Sequence, residues 1–242
     1  MSAYEPPHIE DVDELIIKIE EKGWAFASDQ AAEIDLHWQK LREANPHLFN
    51  GRVFLNFERA LETRNDRRIL SGVAAAVDFK AFLAWRDFGF PDVETRNCFA
   101  MAALVSADGA FMLGRMSEST ANAGKIYFPA GTPDLSDVVG DRLDLEGSVA
   151  RELLEETGIA ADEVAFDAGW RVVFEGPRIA CMKTTRSQLT ASQIEAQFRA
   201  FAKHQKSPEF SALHPVFSEA DLVADRMPDF TLRYLRDELA KA

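Results

Sequence analysis

The sequence predicts an α/β (α+β) chain: a mixed sheet sandwiched between helices, preceded by an N-terminal α/β extension. Three observations carry this expectation. From residue 97 the patterns run hairpin, strand, helix, strands, helix, an order that demands a sheet with helices on its faces. Within it, 144–158 carries both a start and a stop signal for one helix. Ahead of it, 13–88 holds its own alternation of strand-like and helix-like stretches, and GFPDVETR (89–96) reads as a linker, so the expected domains are 1–95 and 96–242.

The elements follow in order. DELIIKIEEKGWAFA (13–27) is rich in β-branched and aromatic residues and reads as strand-like, although IIKIEE also suits a helix. Residues 28–46 open on a capping Ser28 or Asp29, carry apolar residues at helical spacing and stop before Pro46. Residues 50–63 look like a strand entered through an Asn-Gly turn, and 77–88 has the period of an amphipathic helix. CFAMAALVSADGAFMLGRMS is two apolar strands around a turn, and KIYFPAG is a short strand running into a loop. Asp144 caps a helix through Thr157, closed by Gly158. Residues 163–187 give one or two strands broken at Gly176-Pro177. A helix (192–205), a short strand (ALHPVF) and a terminal helix (227–242) with Pro228 near its first turn complete the chain.

Composition narrows the function. The 242 residues hold 40 Asp+Glu against 27 Lys+Arg, a net charge of -13, which repels nucleic acid and anionic membranes. Cys98 and Cys181 form neither a disulfide framework nor a thiolate zinc site and read as buried free thiols. MSAYEPPHIEDVDE is acidic and proline-containing, unlike a signal peptide, and no apolar run approaches the ~20 residues of a membrane span, so a cytoplasmic location is expected.

Chemistry concentrates in RELLEETG. Glu152, Glu155 and Glu156 stand at i, i+3 and i+4, which places three carboxylates on one side of a helix. Val149, Ala150, Leu153 and Leu154 take the adjoining arc and would dock it on a sheet. Crowded carboxylates are costly unless a cation sits among them, and Mg²⁺ takes oxygen ligands. Spacing alone leaves a solvated acidic face as open as a metal site.

Arg151-Glu152-Leu153-Leu154-Glu155-Glu156-Thr157-Gly158-Ile159, with YFPAG ahead of it, resembles the signature of the Nudix hydrolases. The resemblance implies a Nudix-type mixed sheet and a Mg²⁺- or Mn²⁺-dependent hydrolase acting on a nucleoside diphosphate linked to another group, by water attack on phosphorus. Carried over by position, Glu155 and Glu156 would be metal ligands, Glu152 a ligand or the water-activating base, and Arg151 would hold the glutamates in place. The Ala130 carbonyl would be a further ligand, and Gly131 would allow close approach. Two departures stand out. Ala130 replaces a glycine, and the loop is about six residues longer than usual with no glutamate at the first box position; Asp134, Asp137 or Asp141 would substitute.

A further acid beyond the box is expected at Glu209, or else Glu175. Arg115 and Lys125 are candidates for the diphosphate, with surface cations at strand ends the plainer alternative. Tyr127 and Trp170 could stack on a base or sugar but suit the core equally, whereas Trp24, Trp38 and Trp85 read as packing. LGRMSESTANAGKIYFPAGTPD partly resembles the coenzyme A-cleaving branch, and NPHLFNGRVFLNF the UDP-glucose-cleaving branch. The expected partner is a small-molecule nucleotide. The family's frequent homodimer stays open, because the extension could supply or block its interface. A binding module that senses a nucleotide metabolite without cleaving it is the alternative to an enzyme.

Overall fold

The computed structural model describes residues 4–120 and 122–241. In chain order the elements are β1 (His8–Val12), β2 (Glu14–Ile19), α1 (Ala25–Asp29), α2 (Ala31–Ala44), β3 (Arg52–Arg64), β4 (Arg67–Asp78) and α3 (Phe79–Asp87). There follow β5 (Asn97–Val105), β6 (Phe111–Met116), β7 (Ile126–Tyr127), β8 (Ala130–Gly131), β9 (Val138–Val139), β10 (Arg142–Leu143) and α4 (Leu145–Thr157). The last are β11 (Val164–Phe166), β12 (Trp170–Glu175), β13 (Arg178–Ser187), α5 (Ala191–Ala202), β14 (Phe210–Val216) and α6 (Asp229–Leu239). No helix among the described residues is long and apolar enough to cross a membrane.

The larger sheet runs β1-β12-β13-β5-β6-β14, with β5 and β13 parallel and their neighbours antiparallel. The central strands are apolar on both faces, as strands covered on both sides must be: β5 is buried from Asn97 to Leu104. One face packs under α4 and α5 through Ala100, Ala102, Leu104, Val149, Leu153 and Ile194. The other packs under α6 through Met101, Ala103, Met182, Tyr234 and Leu235. The mixed sheet with helices on its faces is therefore the fold class that the patterns call for.

The smaller sheet runs β3-β4-β2-β10-β9, with β2 and β4 parallel. Its long hairpin β3–β4 turns at Asn65 and Asp66, both at positive φ (50° and 61°), the twist that tight two-residue hairpins favour. The helices α2 and α3 cover one face through Ile34, Phe82 and Trp85, and Trp24 and Trp85 meet edge-to-face at 5.9 Å.

The two sheets exchange strands. β1 lies against β12 of the larger sheet, five residues in register from His8↔Phe174 to Val12↔Trp170. In return β9 and β10, from the lengthened loop, join the smaller sheet through Arg142↔Lys18.

Several expectations shift. The strand-like stretch 13–27 is a strand only to Ile19, and its end joins Ser28 and Asp29 in α1; the helix expected over 28–46 is α2 from Ala31, capped by Gln30 with no side-chain bond rather than by Ser28 or Asp29. The helix expected from residue 77 begins at Phe79. β1, β4 and the β9–β10 pair were not anticipated. β4 carries SGVAAAV, whose small residues have little strand preference, and pairing on both sides decides its state. Pro215 is tolerated because β14 is an edge strand.

Candidate active site at the α4 glutamates

α4 starts where the Asp144 carboxylate accepts from the Gly147 N–H at 2.9 Å, and ends at Gly158 in the left-handed conformation (φ 78°). A Cβ at Gly158 would also lie 2.5 Å from the Phe201 ring, so this glycine is required twice over. Val149 and Leu153, both fully buried, fix the rotation of the helix on β5.

That rotation separates the three glutamates. Glu152 and Glu156, one turn apart, are buried at 9% and 4% exposure and face the β8 loop. Glu155 points outward with its side chain 58% exposed, so the three carboxylates do not share one side as the spacing suggested. Leu154, expected in the docking arc, is 47% exposed. The apolar pair one turn apart outweighs the charges in setting the helix face.

The β8 loop is fitted to the two buried acids. The Ala130 N–H donates to Glu156 Oε2 at 3.0 Å. A Cβ at Gly131 would fall 2.1 Å from Glu152 Oε1, so only glycine admits that carboxylate. Glu209, just ahead of β14, lies near enough to extend its field over both acids. Burial, only partly offset by Arg151, pushes Glu152 up to about 7, with Glu155, Glu209 and Asp137 adding to the shift. Glu156 is raised well above the usual carboxylate range by burial and by the charges of Glu152 and Glu209. Glu175 stands elsewhere: its field partners are Asp229, Arg178 and Arg233.

Arg151 gathers the remaining acids. It contacts Glu152 at 2.9 Å and Glu155 at 3.2 Å, and its Nη2 donates to Asp137 at 2.9 and 3.2 Å. Burial alone would lower its pKa, but the Asp137 bond and the surrounding carboxylates raise it instead. Of the three loop aspartates considered as substitutes for the absent glutamate, Asp137 is the one that reaches α4. Its side chain is 1% exposed, whereas that of Asp141 is 77% exposed.

The other candidates divide. Lys125 lines the cavity beside the β8 loop, with its Nζ 3.4 Å from the Asp225 carbonyl. Arg115 is exposed on β6, outside that lining. Tyr127 lines the cavity too, its hydroxyl accepting from Asn122 at 3.1 Å. Trp170 is buried under the Lys183 ammonium at 4.8 Å, and His214 bonds the Asp221 carbonyl; both are structural.

The cavity itself has a volume of about 520 Å³ and runs from Ala130 and Gly131 to α3. Phe82 and Arg86 of α3, Asn97 and Phe99 of β5, and Glu175 and Arg178 at the β12–β13 turn line it, as does Phe230. None of these polar residues except Glu175 was singled out from sequence. They come from segments spread over 79–230, and no local spacing links them.

Mg²⁺ or Mn²⁺ can be tested against this donor set. Burial and neighbouring acids, Glu209 among them, raise the proton affinity of Glu152 and Glu156 beside the Ala130–Gly131 loop, the chemistry that a hard cation relieves. Among the described residues no three acids, histidines or cysteines stand ready as a closed ligand shell. The fit is thus one of chemistry and location, and binding would draw Glu152 and Glu156 from their present partners, Arg151 and Ala130.

No family model matches the chain, and no curated protein does. Among solved structures it is similar to a Nudix hydrolase from M. smegmatis, RenU, at 16% identity and a TM-score of 0.37, over 60% of this chain and 84% of that one. It is also similar to the MutT protein of Methanosarcina mazei Go1, at 25% identity and a TM-score of 0.38, over 59% of this chain and 95% of that one. What the site does rests on its own residues.

Proposed function

We propose that this chain is a Nudix-type hydrolase that cleaves the diphosphate of a nucleoside diphosphate linked to another moiety. The observation that carries this reading is the meeting of Glu152, Glu156 and Glu209 at the Ala130–Gly131 loop, which itself lines a cavity of about 520 Å³. Glu152, Glu156 and Glu209, with the Ala130 carbonyl, are the groups that would hold Mg²⁺ or Mn²⁺; Glu155 is the outlying fourth acid. The cation, when bound, supplies charge stabilisation on the phosphoryl oxygens.

The chain's own residues do the rest. Where Glu156 and Glu209 hold the cation and Glu152 stays unligated, the Glu152 carboxylate, buried beside the loop, would take the proton of the attacking water. The water oxygen bonds to phosphorus as the bridging P–O bond breaks, and the leaving phosphate carries away the electron pair. Arg151, anchored by Asp137, keeps Glu152 in place through its 2.9 Å contact. Lys125, which lines the cavity, would meet phosphate oxygens.

The test is hydrolysis of UDP-glucose, ADP-ribose, NADH, coenzyme A and nucleoside triphosphates with Mg²⁺ or Mn²⁺, alongside Glu156→Gln. Metal-dependent cleavage of a diphosphate by the wild type, lost in the variant, is expected. Saturable binding without cleavage would replace the hydrolase with a nucleotide-metabolite sensor.

A further inference from the structure

Beyond the Ala130–Gly131 loop the cavity is lined by residues of both halves of the chain, two of which carry a polar atom without a partner. Asn97, 9% exposed, has its Oδ1 buried without a hydrogen-bond partner, and so has Glu175 Oε2. Arg178, opposite Glu175 in the β12–β13 hairpin, forms no ion pair within 4 Å and no hydrogen bond among the described residues; its guanidinium lies over the Phe90 ring at 4.9 Å. Asn97, Glu175 and Arg178 thus line one space, and two of them carry a buried acceptor with no partner in the protein. Buried polar groups are ordinarily satisfied, so an unsatisfied set on a cavity wall marks a place for a ligand that supplies the missing bonds.

Charge decides what kind of ligand. The lining holds three cations (Arg86, Lys125, Arg178) and three carboxylates (Glu175, Asp225, Asp229), so 3 − 3 leaves no net charge. An anion would gain from the arginines and lose to the acids beside them. A neutral group with hydroxyls uses both, donating to the carboxylate and the amide and accepting from the guanidinium. Phe82, Phe99 and Phe230 supply apolar walls of the kind that lie along the C–H face of a ring.

We propose that this region is a sugar subsite, in which Asn97, Glu175 and Arg178 bind the hydroxyls of a pyranose or furanose ring packed against Phe82, Phe99 and Phe230, so that the substrate class is nucleoside diphosphate sugars. The inference rests on the hydrolase reading for the position of the diphosphate. It makes α3 of the N-terminal half a determinant of specificity, because Phe82 belongs to that helix. A thiol-ended amide arm such as that of coenzyme A offers these groups fewer hydroxyls and fits them worse.

The experiment compares UDP-glucose with the β-methyl ester of UDP, and ADP-glucose with the corresponding ADP ester, on the full chain with Mg²⁺. The sugar-bearing compounds are expected to be cleaved with kcat/KM about tenfold or more above the esters, the worth of one or two buried hydrogen bonds. In Asn97→Ala and Arg178→Gln the loss on the sugar compounds should exceed the loss on the esters by about tenfold. Equal losses on both, or a wild type indifferent to the sugar, overturn the subsite. Should the variants fail to fold, calorimetric binding to the wild type with metal chelated decides: tighter UDP-glucose than methyl ester sustains the subsite, and equal binding ends it. Absence of any cleavage would sink the hydrolase alone, since the same binding comparison still reads the sugar site.

Discussion

Asp137→Ala should be among the costliest polar changes in the lengthened loop. The Asp137 carboxylate is 1% exposed and does two jobs: it accepts from Arg151 Nη2 at 2.9 and 3.2 Å, and from the Asp134 N–H at 2.9 Å. A hydrogen bond to a charged group contributes about 1.5–3 kcal/mol, and the backbone bond about 1 kcal/mol more. Breaking a fully buried ion pair costs about 3–5 kcal/mol, but the Arg151 side chain is 28% exposed and can rehydrate in part, so the low end applies. The expected loss is about 3 kcal/mol. For a chain of this size that corresponds to roughly 6–12 °C in melting temperature. Asp137→Asn keeps the shape and the bond to Asp134 but not the charge, and should lose roughly half as much. Asp141→Ala, at a side chain 77% exposed, is the control and should stay within about 0.5 kcal/mol. Scanning calorimetry measures all three. An Asp137→Ala variant melting within about 2 °C of wild type would refute the anchoring role.

Gly131→Ala places a Cβ 2.1 Å from Glu152 Oε1, so the carboxylate must leave its seat; activity should fall at least about tenfold while the far-ultraviolet spectrum is kept, and an active alanine variant would show that the seat is unimportant. Mg²⁺ or Mn²⁺ should raise the melting temperature of chelator-treated protein by relieving the repulsion among Glu152, Glu156 and Glu209, and Glu209→Gln should shrink that rise, as thermal shift at constant ionic strength will show. Asp92 gives a pH prediction: burial raises its pKa, but bonds from Thr95, Trp24 and the Glu94 and Thr95 amides lower it further than that. A depressed folded-state pKa contributes stability above the unfolded value and loses it as pH falls through the folded one, so Asp92→Asn should be less stable than wild type near neutrality and converge with it below the ordinary value of 3.8. Fluorescence of Trp24, whose Nε1 donates to Asp92 at 2.7 Å, follows the change, and a deficit that persists unchanged at low pH would count against the assignment.

Much of this architecture is written in local signals. Asp144 and Gly158 bound α4 because capping and left-handed closure need only neighbouring residues, and the apolar run of β5 marks a strand covered on both faces. The candidate site was legible as far as its chemistry is local: RELLEETG fixes one helix with its acids. Which acids turn inward was not legible, since Val149 and Leu153 set the rotation through packing on β5. Glu209 could be picked out by its place ahead of a late strand, whereas Asn97 and Arg178 meet only through the register of β5 on β13. β4 and β1 escaped notice for the same reason, because strands with small or charged residues owe their state to partners distant in sequence.

The pairing of β1 with β12 also sets a timetable. Asp11 and Arg171, joined at 2.8 Å across that pair, are separated by 160 positions. At a ribosomal pace of about 5–20 residues per second, β1 leaves the ribosome roughly 8–30 s before its partner strand exists. Meanwhile β2, β3 and β4 can assemble among themselves, but their sheet lacks the β10–β9 edge until the loop arrives. The nascent first half therefore carries an unpaired strand and an open sheet edge through most of synthesis, the state in which chaperone protection counts most. Glu10 and Asp11, on opposite faces of β1, supply the kind of charge that keeps such an edge from pairing with a neighbouring chain.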